Sequence, residues 1–113
     1  MNTLLYSPAA KQDLANIKKY IADELINPVA TIRIVGNIAK QIRKLIKQPL
    51  IGTSLSSVVD LETDYRFLIC GHYAVFYRFE NKMIYIDRVL YGRRDFMKIL
   101  FGTFADETSM ETE

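Results

Sequence analysis

Two proline-led helix starts, at residues 7–8 and 27–28, govern what this chain can become. Ser7-Pro8 and Asn27-Pro28 each put a capping side chain before a proline at the first helical position, where the ring's fixed φ and missing N–H do no harm. Behind Pro8, the residues Ala10, Leu14, Ile17, Ile21 and Leu25 recur at spacings of four, three, four and four. That is one apolar stripe on a helix running to about Glu24. Asp13, Lys18, Lys19 and Asp23 cover its other side. Behind Pro28, Val35, Ile38, Ile42 and Leu45 form the main stripe of a second helix, widened by Ile34, Ala39 and Ile46. Pro49 disfavours a helical residue before it, so this helix is expected to end near Lys47-Gln48. The link between the helices is only a few residues long, which implies an antiparallel helical hairpin.

The rest of the chain reads as strands and one more helix. Residues 3–6 form a short strand. Residues 49–64 are rich in small and turn-forming types and read as a long loop, a kind often functional in compact domains. Three strand-like runs follow: Tyr65 to Ile69, Tyr73 to Phe79 and Met83 to Tyr91. The turns between them, Cys70-Gly71-His72 and Glu80-Asn81-Lys82, are hairpin length. Gly92 breaks the last strand, and Arg93 to about Phe101 reads as a third helix stopped by Gly102. The order is β-α-α-β-β-β-α, an α+β class: an antiparallel sheet, with the first strand on one edge and the helical hairpin on one face. Residues 1–102 form a single domain, and the acidic tail 103–113 is expected to be disordered.

Composition narrows the function classes. The chain has 113 residues, half of them apolar and a quarter charged, which suits one globular domain and excludes a collagen-like fibre or a multidomain enzyme. No apolar run approaches the roughly 18 residues that span a bilayer. The first eight residues lack the basic and long apolar regions of a signal peptide. The single cysteine, Cys70, excludes an internal disulfide and a cysteine-rich metal site. These features point to the cytoplasm. The tail holds four acids and no base, so residues 1–102 carry +6 against +2 for the whole. From Leu25 to Val59 there are five bases and no acid. Such a body suits an anionic partner, nucleic acid or acidic protein.

Three segments together carry a family likeness. Tyr6-Ser7-Pro8-Ala9-Ala10-Lys11-Gln12-Asp13-Leu14, with Ile17 and Tyr20-Ile21, resembles the first helix of the RelE/ParE toxin superfamily. Tyr65-Arg66-Phe67-Leu68 and Gly71-His72-Tyr73-Ala74-Val75-Phe76-Tyr77-Arg78 resemble its central hairpin. Ile86-Asp87-Arg88-Val89-Leu90-Tyr91-Gly92-Arg93-Arg94-Asp95 resembles its closing strand-to-helix junction. The likeness implies a toxin of a type II toxin–antitoxin pair, with a cognate antitoxin as partner and no cofactor or metal. RelE-like members cleave mRNA on the ribosome; ParE-like members poison DNA gyrase. A shared fold does not choose between these targets.

Set against the RelE-like pattern, this sequence lacks most of the catalytic set. The hairpin position that carries arginine in RelE-like toxins is Ala74, and the position of their helical tyrosine is Leu100. Only Arg94 aligns cleanly, beside Arg93. The ParE-like branch is therefore favoured. If the chain is a nuclease instead, Arg66, Tyr91 and Arg94 are the candidates for stabilising phosphorane charge and moving protons. Arg93, Arg94 and Arg78 are candidate target contacts, Arg78 and Arg88 being equally suited to cross-strand ion pairs. His72 reads as a turn histidine, with acid–base catalysis as the alternative. Cys70 has no partner set for a nucleophilic role. Phe96, Met97, Ile99, Leu100, Phe101 and Phe104 point around the whole helical wheel, more than one core-facing stripe requires. Phe96, Leu100, Phe101 and Phe104 are therefore expected to be partly exposed in the lone protein and to bind the antitoxin.

Overall fold

The computed structural model describes residues 2–24, 27–92 and 96–101. Strand β1 (Thr3–Tyr6) leads through Ser7 into helix α1 (Pro8–Glu24). The Ser7 hydroxyl accepts the Ala10 amide at 2.9 Å and donates to the Asp87 carbonyl at 2.8 Å, so one side chain both caps the helix and ties it to the sheet. Helix α2 (Pro28–Arg43) starts at Asn27, whose side-chain oxygen accepts the Ala30 amide at 3.1 Å. Each such cap is worth about 1 kcal/mol. Leu25, placed last on the first apolar stripe, lies outside the described residues. The α-helical part of the second helix stops at Arg43, short of Lys47, and tightens into a 3₁₀ turn over Lys44–Ile46. The tighter winding brings Leu45 fully into the core before Pro49 ends the run.

The segment read as a loop over 49–64 holds more structure than its composition predicts. Thr53–Ser54 forms a two-residue strand, β2, and Leu55–Ser57 a 3₁₀ turn that buries Leu55. Strands β3 (Arg66–Cys70), β4 (Tyr73–Glu80) and β5 (Met83–Tyr91) follow, then the short helix α3 (Phe96–Phe101). The sheet order is β1-β5-β4-β3-β2. β2 to β5 run antiparallel to their neighbours, while β1 joins β5 in parallel, pairing Thr3 with Met83 through Tyr6 with Ile86. The hairpin turns are two residues long. Gly71 adopts φ of 63°, and Asn81 and Lys82 take φ of 51° and 64°, the left-handed pair that suits a twisted hairpin.

The sheet is apolar on both faces. On the first, Val75, Tyr77, Ile84, Ile86 and Val89 pack against Ile17 and Ile21 of α1 and Ile38 and Ile42 of α2. On the second, Ala74, Phe76 and Leu90 meet Leu55, with Phe67, Phe96, Leu100 and Phe101 laid over them. Residues 73–77 of β4 are accordingly all buried. A register shift opposite Phe76 and Tyr77 leaves Asp87 as the extra residue of a β-bulge. It switches the inward positions of β5 from Ile84 and Ile86 to Val89.

Candidate functional site

The second face carries an open apolar groove. β3, β4, the 55–59 segment and α3 enclose about 430 Å³, lined by Leu55, Val58, Val59, Phe67, Ile69 and Phe76 among others. Phe96 stacks on Phe76 with ring centres 5.5 Å apart and 19° between planes. Phe101 meets Tyr65 edge-on at 5.8 Å. Phe96, Leu100 and Phe101 are thus half-buried, leaving each partly exposed, as the helical wheel leads one to expect. The helix rests on an already apolar sheet face, so its excess of large side chains has a surface to cover. Ile99 is exposed, and Phe104 lies outside the described residues. The groove rim is apolar too: Val58 is 57% and Ile69 64% exposed. β2 covers only Arg66 and Phe67, so beyond them the outer edge of β3 has no strand beside it among the described residues.

The three arginines of the sheet, Arg66, Arg78 and Arg88, are engaged within the fold. Arg78 shares the second face and donates through Nε to Asp87 Oδ2 at 2.8 Å, with its guanidinium 5.2 Å from the Tyr85 ring centre and 5.9 Å from that of Tyr65. The bond to Asp87 holds its pKa above the ordinary arginine value. Burial, and then the nearby Asp87 charge, raises the Tyr65 hydroxyl. Arg88 grips Asp13 of α1 with a two-pronged contact at 2.8 Å, and Asp13 also accepts the Val89 amide at 2.9 Å. Asp13 therefore caps the stretch of β5 that β1 leaves unpaired. The Asp13 hydrogen bond likewise raises the Arg88 pKa. Arg66 reaches back to the Gly52 carbonyl at 2.8 Å and pins the 49–54 segment. Tyr77, buried beneath, donates to the Pro49 carbonyl at 2.7 Å and accepts the Gly52 amide at 2.9 Å. A Cβ on Gly52 would stand 2.5 Å from the Tyr77 hydroxyl oxygen, so glycine is required there by close approach. Arg93 and Arg94 lie outside the described residues.

The far ends of β4 and β5 hold a second, aromatic recess of about 360 Å³ between Tyr20, Tyr73 and Tyr91, floored by Ile17 and flanked by Asn16. The Tyr73 and Tyr91 rings meet edge-on at 5.4 Å, and the His72 ring lies 6.2 Å from Tyr91. Burial, then the neighbouring Tyr91 and Tyr20, raises the Tyr73 hydroxyl. The structure does not bring the two described nuclease candidates, Arg66 and Tyr91, together. Arg66 pairs with Tyr77 and Tyr91 with Tyr73, on opposite flanks of β4, so they are separated by about 13 Å along the strands alone. Cys70 is buried and its thiol is pushed up by desolvation, in keeping with an inert side chain. Among the described residues no three metal-binding side chains cluster.

One family pattern, the ParE toxin of the type II toxin–antitoxin system parDE, matches residues 4–96. The chain belongs to the ParE toxin family. In solved structures, the fold of this ParE-family chain is similar to one from the chromosomal ParDE system of P. aeruginosa, with a TM-score of 0.68 and 24% identity, covering 82% of this chain and 98% of that one. It is also similar to one from the toxin–antitoxin complex RelBE2 of Mycobacterium tuberculosis, with a TM-score of 0.55 and 20% identity, covering 80% and 96%. No curated protein sequence matches. The likenesses confirm the RelE/ParE-type fold, and the family match places the chain on the ParE side as a type II toxin–antitoxin toxin. The matched span includes the groove-lining Phe96 but ends before Leu100 and Phe101.

Sequence reasoning missed the polar side chains that order the first face. Tyr77 looked like one more sheet aromatic, because its hydroxyl partners lie 25 and 28 residues away. Asp13 looked like surface charge, 75 residues from Arg88. The bulge had a legible signal: the apolar inward residues of β5 change from even to odd numbers across Asp87-Arg88.

Proposed function

We propose that this ParE-family toxin arrests growth by binding DNA gyrase in the cytoplasm and trapping it on cleaved DNA, with no chemistry of its own, and that a cognate antitoxin neutralises it. The observation that carries the reading is the filling of the second face. Where a RelE-like nuclease is expected to present arginine and tyrosine, this chain has Ala74, 3% exposed, and Leu100, both in the same apolar cluster. A charged phosphorane needs donors aimed at it, and neither Ala74 nor Leu100 supplies one. Arg66 and Tyr91 support the same reading, since Arg66 is spent on a backbone carbonyl and lies far from Tyr91.

Arg93 and Arg94 are the proposed target contacts. Arg78 is a weaker one, because leaving Asp87 would strip that carboxylate of its partner. The solved relatives are a ParDE system and a RelBE2 toxin–antitoxin complex. By analogy an antitoxin segment lies along the groove, over Phe96, Leu100, Phe101 and Phe104. The full-length toxin is expected to stop gyrase supercoiling and to leave mRNA intact on translating ribosomes. Site-specific mRNA cleavage in a reconstituted translation reaction, with supercoiling unaffected, would replace this reading with the nuclease one. Arg93→Ala with Arg94→Ala is expected to relieve growth arrest, with a thermal melt of the double variant matching the parent. Undiminished toxicity at equal expression removes both from the site.

A further inference from the structure

The outer face of α2 and its 3₁₀ extension carries a run of cations that the fold does not use. Arg33, Lys40, Lys44 and Lys47 are all exposed. At 100° per residue they fall within about 60° of one another, and at 1.5 Å rise they extend over about 21 Å. Arg43 flanks the row. No acid occurs between Leu25 and Val59. Neither ion pair among the described residues involves these side chains. On the neighbouring helix, Asp13 is taken by Arg88, and Asp23 and Glu24 stand at the end of α1 that an antiparallel hairpin sets beside the start of α2. Gly36 lies inside the row, and nothing comes within 4 Å of where its Cβ would be, so the surface there is open. Helix-dipole compensation accounts for cations in the last turn alone, and Arg33 is more than two turns earlier.

We infer that this face of α2 is a docking surface for the phosphate backbone of duplex DNA. Each strand of a duplex offers a phosphate every 3.4 Å of axis, so about 21 Å of helix faces a dense anionic row. The α2 face carries no aromatic side chain, and the exposed rings of Tyr20 and Tyr91 belong to the recess beside α1 and β5. It therefore lacks the stacking platform that single strands use. An acidic protein partner is less well matched, because such interfaces centre on desolvated apolar or aromatic anchors. Here the exposed apolar side chains, Val29 and Ile32 before Arg33 and Leu50 and Ile51 beyond Lys47, stand at the two ends of the charged row and not at its centre. The inference rests on the gyrase reading for one point, the source of the duplex, which would be the DNA held by the target enzyme.

The test is fluorescence anisotropy of the full-length toxin with a 20-base-pair duplex of arbitrary sequence, from 50 to 200 mM salt. Four phosphate contacts predict a slope of log affinity against log salt of about −3.6, roughly a 100-fold loss over that range. Lys40→Gln, Lys44→Gln and Lys47→Gln together should bring the slope to about −1. The same three changes at Lys11, Lys18 and Lys19 on α1 should leave it unaltered. Thermal melts of both triple variants should match the parent, because all six side chains are exposed. An unchanged slope in the α2 variant, no binding at 50 mM salt, or equal binding to polyglutamate overturns the inference. Duplex binding that depends on α2 in a toxin without effect on gyrase would sink the gyrase reading and leave the surface standing. Gyrase inhibition with no α2-dependent binding would do the reverse.

Discussion

The two faces of the sheet are built from similar side chains and finished differently. The first is closed by two long helices, each started by a side-chain cap, and its buried polar atoms are satisfied: Tyr77 by Pro49 and Gly52, Asp13 by Arg88 and Val89. The second is covered by the six residues of α3 and one 3₁₀ turn, with an apolar groove left between them. A hydrophobic face finished this incompletely gains most from a partner, since each large side chain removed from water contributes about 1.5–3 kcal/mol. On the proposed reading, the first face serves stability and the second serves association.

Truncating each face in turn tests that division hardest. Ile42→Ala, in the fully buried first-face core, is expected to lose about 2–5 kcal/mol in denaturant unfolding. Leu100→Ala, half-buried on the second face, should lose about 1 kcal/mol, in proportion to the smaller area it covers. The same Leu100 change should weaken antitoxin binding by more than tenfold, a shift of about 1.4 kcal/mol. Equal stability losses at the two positions would break the comparison.

A smaller effect concerns the clamp that holds the 49–54 segment to the first face. Tyr77→Phe leaves the Pro49 carbonyl and the Gly52 amide without their partner and should lose about 1–3 kcal/mol. Gly52→Ala should be similar, because the added methyl meets the Tyr77 ring and hydroxyl. If either variant unfolds at the parental denaturant midpoint, the segment is not held this way.

The smallest expected effect is at alkaline pH. Burial raises the hydroxyl pKa of Tyr77, Tyr73 and Tyr6, and of Tyr65 on the second face. A folded pKa above the unfolded value near 10 means that the folded state binds more protons than the unfolded one beyond that pH. Their contribution is therefore intact below pH 10 and is lost as the pH rises through the folded values. Unfolding at pH 9 and pH 11 checks the sign, and Tyr77→Phe should flatten the decline. A rise in stability over that range contradicts the burial.

Most of this architecture is legible in the sequence because it is set locally. The caps at Ser7 and Asn27, the apolar stripes behind them and the turn residues at 71–72 and 81–82 need no distant information. The early stop of α2 and the structure within 49–64 were hidden because Leu45 and Leu55 act through burial in the assembled core. The site was harder still. Arg78 has its carboxylate nine residues away across a hairpin, and a ladder drawn from sequence suggests that pair. Arg88 and Arg66 find partners that no spacing reveals. The half-burial of Phe96, Leu100 and Phe101 depends on the sheet having two apolar faces, a property written in the unbroken apolar run from Tyr73 to Tyr77.

Hydrogen exchange of the toxin, alone and bound to its cognate antitoxin, tests the division between the faces most directly. Amides of residues 55–59, 67–70 and 96–101 are predicted to gain protection in the complex, while those of α1, α2 and the β4–β5 ladder, already closed, change little. Equal protection of residues 96–101 in both states, or a gain confined to the helical hairpin, would contradict the account.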